Sequence, residues 1–287
     1  MRKLFIAAAL AAVLPVSLAS AATDAGAPAW NYEAFKSAIE AGGRSQNISD
    51  KTFKRLQENR LKSLKIIEKY LTRRFGKADP LVMKAFAEVP REYYHFNYQS
   101  KKSFAASAYE LENVKPWAIG YGSALSDYLG QAYMTQIARP KPSDVVLEIG
   151  TGSGYQVSIL SRIVKQAYSI EIIEPLGQGV AKIFKPLGYN NIQTRVGDGF
   201  FGWPEVKGGF DIIIVTCVAQ YVPPALLDQL KPGGRLVIPI GQPFKKGGQF
   251  LYVYTKDQNG KVSSRKDVGV FFIPMTGQMQ KPSADKP

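Results

Sequence analysis

The chain predicts a doubly wound α/β domain with a mostly parallel sheet, a helical segment before it and antiparallel strands appended after it. Three observations carry that expectation. After Pro140, continuous apolar strands alternate with helix-period segments, and strands that are apolar all along belong to a parallel sheet covered by helices on both faces. The first of these strands runs directly into "EIGTGSGYQ", with glycines at 150, 152 and 154, the bare backbone that a strand-to-helix turn needs beside a ligand. Acidic residues then recur at the ends of three successive strands, at Glu148, Glu171 and Asp198.

Taken in order, the chain opens as a secretory signal peptide would: Arg2 and Lys3, an apolar stretch from Leu4 to Leu14, a break at Pro15, and small residues Ala19, Ser20 and Ala21 before a cut. The apolar run is shorter than the ~20 residues of a spanning helix, which favours cleavage after Ala21 over an uncleaved anchor. A misplaced gene start is the other alternative. Cleavage takes the formal charge from +14 to +12 and leaves a mature chain expected to be soluble, monomeric, and periplasmic or secreted. An unused signal would leave it cytoplasmic. Residues 22–50 are small and polar and read as a linker or loose arm, with one short helix over 32–41.

From Lys51 the spacing of Phe53, Leu56, Arg60, Leu64, Ile67 and Leu71 is helical, with Asp50 a candidate cap. Residues 51–77 hold ten Lys and Arg against Glu58 and Glu68, a local +8. Such a face suits nucleic acid or an anionic membrane. No aromatic platform or nucleic-acid motif accompanies it, so the plainer reading is a solvated helix face and no nucleic-acid partner is expected. The domain proper is placed at 51–280, with 281–287 as a disordered tail.

Beyond Pro140 the segments "DVVLEIG", "AYSIEII", "IQTRVGD", "GGFDIIIVTC" and "GRLVIPIG" read as strands, with "GYQVSILSRIVK", "GQGVAKIFKPLG" and "PPALLDQL" as the helices between them. The final stretch alternates and turns at Asn259-Gly260, so it reads as an antiparallel pair.

Composition narrows the chemistry. With 45% hydrophobic and 21% charged residues the chain can bury one sizeable core. Its single cysteine, Cys217, and single histidine, His95, exclude an internal disulfide, thiol-based metal or redox sites, and most nucleophile–imidazole pairs. No metal site is expected. Both residues lean toward structural roles, and Trp117 and Tyr121 suit either a cleft wall or packing. The glycine loop is Glu-x-Gly-x-Gly-x-Gly, not the Gly-x-Gly-x-x-Gly of dinucleotide sites, and no Lys-Ser/Thr follows it as in a P-loop. Carboxylates at three strand ends would repel a pyrophosphate. They suit a cationic, phosphate-free ligand, and S-adenosylmethionine, with its sulfonium and ammonium, meets that description.

Several further stretches resemble one family, the protein-L-isoaspartate O-methyltransferases. "FAEVPREYY", "AIGYG", "VLEIGTGSGYQ", "VGDGFFGW", "LKPGGRLVIPIG" and "FFIPMTG" are similar to its landmarks from about Arg60 to Gly277. The resemblance implies a Rossmann-like methyltransferase that moves a methyl group from S-adenosylmethionine to the α-carboxyl of L-isoaspartyl residues in damaged proteins. It implies cofactor contacts at Glu148, Gly150, Gly152, Gly154, Glu171 and Asp198. It also implies a substrate site between a loop from Ile119 to Gln131, including Gly120, Tyr121, Gly122 and Ser123, and a C-terminal strand with Val270 and Pro274. An acceptor carboxylate is already ionised near neutral pH, so the shortage of imidazole is no obstacle.

The loop departs from the family pattern. "IGYGSALSDYLGQAYM" is about three residues longer than the usual form, and Ser123 and Ala124 replace Gln-Thr if the insertion follows Ser126. Ser126 then keeps the family serine and is the catalytic candidate; in the other alignment Gly130 replaces it. Asp127 adds a negative charge near a site for a carboxylate, which would oppose binding. Two other readings therefore stand beside the repair enzyme: a methyltransferase for another carboxylate or small acceptor, and a retired methyltransferase fold serving as a binding protein.

Overall fold

The computed structural model describes residues 30–46 and 48–280. The expected signal peptide, the start of the expected arm and the tail at 281–287 lie outside the described residues. Four helices come first: α1 (Tyr32–Ala41), α2 (Asp50–Phe75), α3 (Pro80–Glu88) and the single turn α4 (Arg91–Tyr94). Two small hairpins follow, β1 (Phe96–Asn97) with β2 (Lys102–Ser103) and β3 (Trp117–Gly120) with β4 (Ser123–Leu125), and then α5 (Tyr128–Ala138).

The remaining chain builds the main sheet. Its elements are β5 (Val145–Ile149), α6 (Tyr155–Ser161), β6 (Gln166–Glu171), α7 (Glu174–Ala181), β7 (Ile192–Val196), β8 (Phe210–Val215), α8 (Pro224–Asp228), β9 (Leu230–Gly241), β10 (Gln249–Lys256) and β11 (Val262–Gly269). The strand order is β11-β10-β9-β8-β5-β6-β7. The five strands from β9 to β7 pair in parallel, and β10 and β11 add on antiparallel at the β9 edge. The expected doubly wound architecture is therefore present. The chain leaves β5 toward β7 on one side and returns to β8 on the other, so the switch point of the sheet, where a crevice opens beyond the strand ends, lies beside β5.

Local chemistry explains the N-terminal elements. Asn31 caps α1 by accepting from the Ala34 N–H at 2.9 Å. Phe35, Ala38 and Ile39 on its inner face are buried, and Phe35 stacks at a 5.4 Å centroid distance on Phe53 of α2. Over its described part, the stretch read as a loose arm is thus docked into the core, because those three side chains share one helix face. The cap of α2 is Ser49, whose hydroxyl accepts from the Thr52 N–H at 3.2 Å; Asp50 is the first helical residue.

The inner face of α2 buries Phe53, Leu56, Arg60, Ser63, Ile67 and Leu71, while Leu64 is half-buried. Lys51, Lys54, Arg55, Lys62, Lys65, Lys69 and Arg73 are exposed. Of these, Lys54 pairs with Asp50 at 2.7 Å. Among the described residues no helix is long and apolar enough to cross a membrane.

Candidate active site

A cleft of about 400 Å³ opens at the carboxyl ends of the parallel strands. Its floor is the turn from β5 into α6. At Gly150, with φ of +96°, a Cβ would lie 2.6 Å from the Thr216 hydroxyl, which donates to the Gly150 carbonyl at 2.7 Å. The Gly152 N–H donates to Glu171 Oε2 at 2.8 Å, tying the loop to the end of β6. Gly154 does something else. It does not line the cleft, and a Cβ there would sit 2.9 Å from both Phe184 and Val180. The third glycine, expected to touch a cofactor, instead lets α6 pack closely against α7 and the residues after it.

The three strand-end acids do meet at this cleft. Glu148 is fully buried; its Oε2 accepts from the Ser169 hydroxyl on β6, while its Oε1 has no partner. Burial raises its carboxyl from 4.5 to about 8, against the Ser169 hydrogen bond and with help from the charge of Glu171. Glu171 is raised by burial as well, and the N–H groups of Gly152 and Ile173 pull it back toward the ionised form. Asp198 accepts from Phe200 N–H at 2.9 Å and from Gln278 N–H at 2.7 Å, so the C-terminal segment closes over it.

The opposite wall comes from β3–β4 and from residues 272–276. Tyr121, Gly122, Ser123, Ser126 and Pro274 line the cleft as expected. Ile119 and Gly120 do not: Ile119 is core, and Gly120 packs on Gln99, where a Cβ would lie 2.7 Å from the Gln99 Cβ. Val270 also stays out of the cleft, its N–H bonded to the Gln249 carbonyl at 3.0 Å and its side chain against the core. The expected loop to Gln131 is shorter than that, since α5 begins at Tyr128 and Gln131 is buried within it. Asp127 caps α5, accepting from the Gly130 N–H at 2.8 Å, and its charge supports buried Arg91. It does not itself line the cleft, and the positive charge of Arg91 partly offsets its own.

Arg91 carries a role that its sequence position did not announce. It is 2% exposed. Its guanidinium donates to the Ser126 carbonyl at 2.7 Å and to Gln131 Oε1 at 2.8 Å, and lies 5.0 Å from the Tyr155 ring centroid. Burial works against its charge, opposed by the surrounding tyrosines and Asp127. One side chain thus ties α4 to the loop, to α5 and to α6. The only sequence signal was its place in "VPREYY".

Two cleft residues hold strained backbone. Tyr121 and Phe244 have φ of +54° and +61°, a left-handed conformation costing a non-glycine residue on the order of 1–2 kcal/mol. Elsewhere, His95 is buried with both ring nitrogens unpartnered, and burial followed by the Arg91 charge pushes it well below its ordinary range. It does not line the cleft. Cys217 does, with its thiol pushed up by burial and then by the charges of Glu171 and Asp198.

The family profile described as protein-L-isoaspartate(D-aspartate) O-methyltransferase matches residues 61–280. The chain belongs to this family. A protein-L-isoaspartate O-methyltransferase of Syntrophobacter fumaroxidans is 40% identical over 239 residues, covering 83% of this chain and 92% of the relative. One from Nitrosospira multiformis is 50% identical over 162 residues, covering 56% of this chain and 67% of its own length. Among solved structures, a protein-L-isoaspartate O-methyltransferase at 27% identity aligns with a TM-score of 0.65 over 77% of this chain and 67% of that one. The fold also matches a putative protein-L-isoaspartate O-methyltransferase of Plasmodium falciparum bound to S-adenosyl-L-homocysteine, with 23% identity, a TM-score of 0.59, and coverage of 74% of this chain and 97% of that one.

Proposed function

We propose that this family member methylates the α-carboxyl of L-isoaspartyl residues in damaged proteins and peptides, using S-adenosylmethionine. The observation that carries the reading is Glu148 Oε1, a buried and unpartnered carboxylate oxygen at the head of an otherwise acidic cleft. Such an orphan is costly unless a donor arrives, and an ammonium is the donor whose charge the site favours. Glu171 keeps lone pairs for ribose hydroxyls after its two N–H bonds, and Asp198 keeps them for an adenine amino group. Ile172 and Ile173 supply apolar wall for a base. The residues present therefore fit the cofactor.

When bound, S-adenosylmethionine supplies a methyl group already attached to a good leaving group, the sulfonium. What the protein must add is placement. The acceptor carboxylate is ionised at neutral pH and needs no base; holding it in line and dry is the main source of rate. Ser126 is the residue assigned to orient that carboxylate, through its hydroxyl. Arg91 holds the Ser126 backbone from below. The resulting methyl ester then closes to a succinimide, which reopens in part to normal aspartate.

The test is mass spectrometry of an isoaspartyl peptide incubated with enzyme and cofactor. A gain of one methyl followed by loss of methanol supports the reading, and an unmodified peptide contradicts it. We further propose that the mature enzyme acts outside the cytoplasm, on the strength of the leader pattern at residues 1–21. Cell fractionation reads this directly, and full-length protein confined to the cytoplasm contradicts it.

A further inference from the structure

Phe244 is 74% exposed, belongs to neither part of the hydrophobic core, and lines the cleft. It sits in the loop after β9, Gln242–Gly248, where Lys245 N–H donates to the Gln242 carbonyl at 3.3 Å and Gly248 N–H to the Lys245 carbonyl at 3.1 Å. Those turns hold it at φ +61°, a conformation in which a bulky residue is an outlier. A phenylalanine that is both exposed and strained gains nothing for the folded state, and strain of this kind collects where a ligand is gripped.

Tyr121, in the turn between β3 and β4, shares the positive φ but packs in part against the core. Its backbone, at φ +54°, is pinned by its N–H donating to Gln99 Oε1 at 2.9 Å. Phe272, from the segment after β11, lines the same cleft. The sheet order sets Phe244 apart from the acids. Glu171 and Asp198 follow β6 and β7 on one side of β5, whereas Phe244 follows β9 on the other side, at the same end of the parallel strands. Phe272 joins Phe244 on that side, its N–H donating at 2.7 Å to Oε1 of Gln249, the residue that starts β10 directly after the loop.

We propose that Phe244, with Phe272, forms a subsite for a large apolar or aromatic side chain next to the isoaspartyl residue. It rests on the isoaspartyl reading for the acceptor and adds a sequence preference to it. A neighbouring leucine or tyrosine buries the Phe244 ring, which water otherwise surrounds. Glycine at that position leaves it wet.

The test uses the mature enzyme and isoaspartyl peptides that differ only in one neighbour, Gly, Leu or Tyr, placed before or after the isoaspartyl residue. Peptide Kd is read by calorimetry with S-adenosyl-L-homocysteine present, so that binding is scored whether or not methyl transfer occurs. The wild type is expected to bind the Leu or Tyr peptide roughly 5- to 20-fold more tightly than the Gly peptide, the size of one buried aromatic contact. Phe244→Ala should collapse that ratio toward one, and Phe244→Trp should restore it. Retained affinity for S-adenosyl-L-homocysteine shows that each variant is folded. Equal wild-type affinity for all neighbours, or a ratio that survives Phe244→Ala, overturns the subsite. Preference without methylation would keep the subsite and sink the repair reaction instead.

Discussion

Replacing Glu148 by glutamine should stabilise the ligand-free protein at neutral pH while weakening its hold on the cofactor. Glu148 is fully buried, and its carboxyl rises from 4.5 to about 8 on folding. The folded state therefore keeps a proton that the unfolded chain releases. A raised pKa contributes stability that is complete below 4.5 and is lost as pH climbs to about 8. At 1.36 kcal/mol per unit, the shift corresponds to about 5 kcal/mol over that window, with about 3 kcal/mol gone by pH 7. Urea denaturation of ligand-free protein from pH 5 to 9 reads the slope, and Glu148→Gln should flatten it. A cationic ligand reverses the preference, because it binds the ionised form. Wild-type affinity for S-adenosylmethionine should rise with pH and level off above about 8, and the glutamine variant should lose much of that dependence. If Glu148→Gln keeps the wild-type slope in urea, or is less stable at pH 8, the reasoning fails.

Three further outcomes follow from the site. Gly154→Ala places a Cβ 2.9 Å from Phe184 and Val180 at a positive φ, and should cost about 2–4 kcal/mol of stability in denaturant melts. Arg91→Met strands the Ser126 carbonyl and Gln131 Oε1; it should cost about 2–4 kcal/mol and depress kcat while calorimetric cofactor affinity persists. Gly277→Ala drives a Cβ into the Asp198 carboxylate and should separate Gln278 from it, weakening cofactor binding about tenfold, the cost of roughly one charge-assisted hydrogen bond.

The parts that were legible in the sequence are those written in short-range pattern. Parallel strands announced themselves as apolar runs, and Glu148, Glu171 and Asp198 fell at strand ends because each strand is bounded by a turn. Roles that depend on what lies across the fold were hidden. Gly154 looks like its two neighbours in sequence, yet Phe184 and Val180, far along the chain, make it a packing residue. Asp127 read as a stray charge because neither the helix it caps nor buried Arg91 beside it was visible. The docking of α1 hung on three apolar residues in a polar stretch, too few to outweigh composition. Phe244 gave no signal at all, since exposure and a positive φ are properties of the folded loop.

The most direct test of the account is transfer of labelled methyl from S-adenosylmethionine by the chain beginning at Ala22, offered two peptides that differ only in isoaspartate versus aspartate. The account predicts label on the isoaspartyl peptide alone, as an alkali-labile ester. Bound cofactor with no label on either peptide would mean that the loop from Ser123 to Gly130 selects another acceptor, and would contradict it.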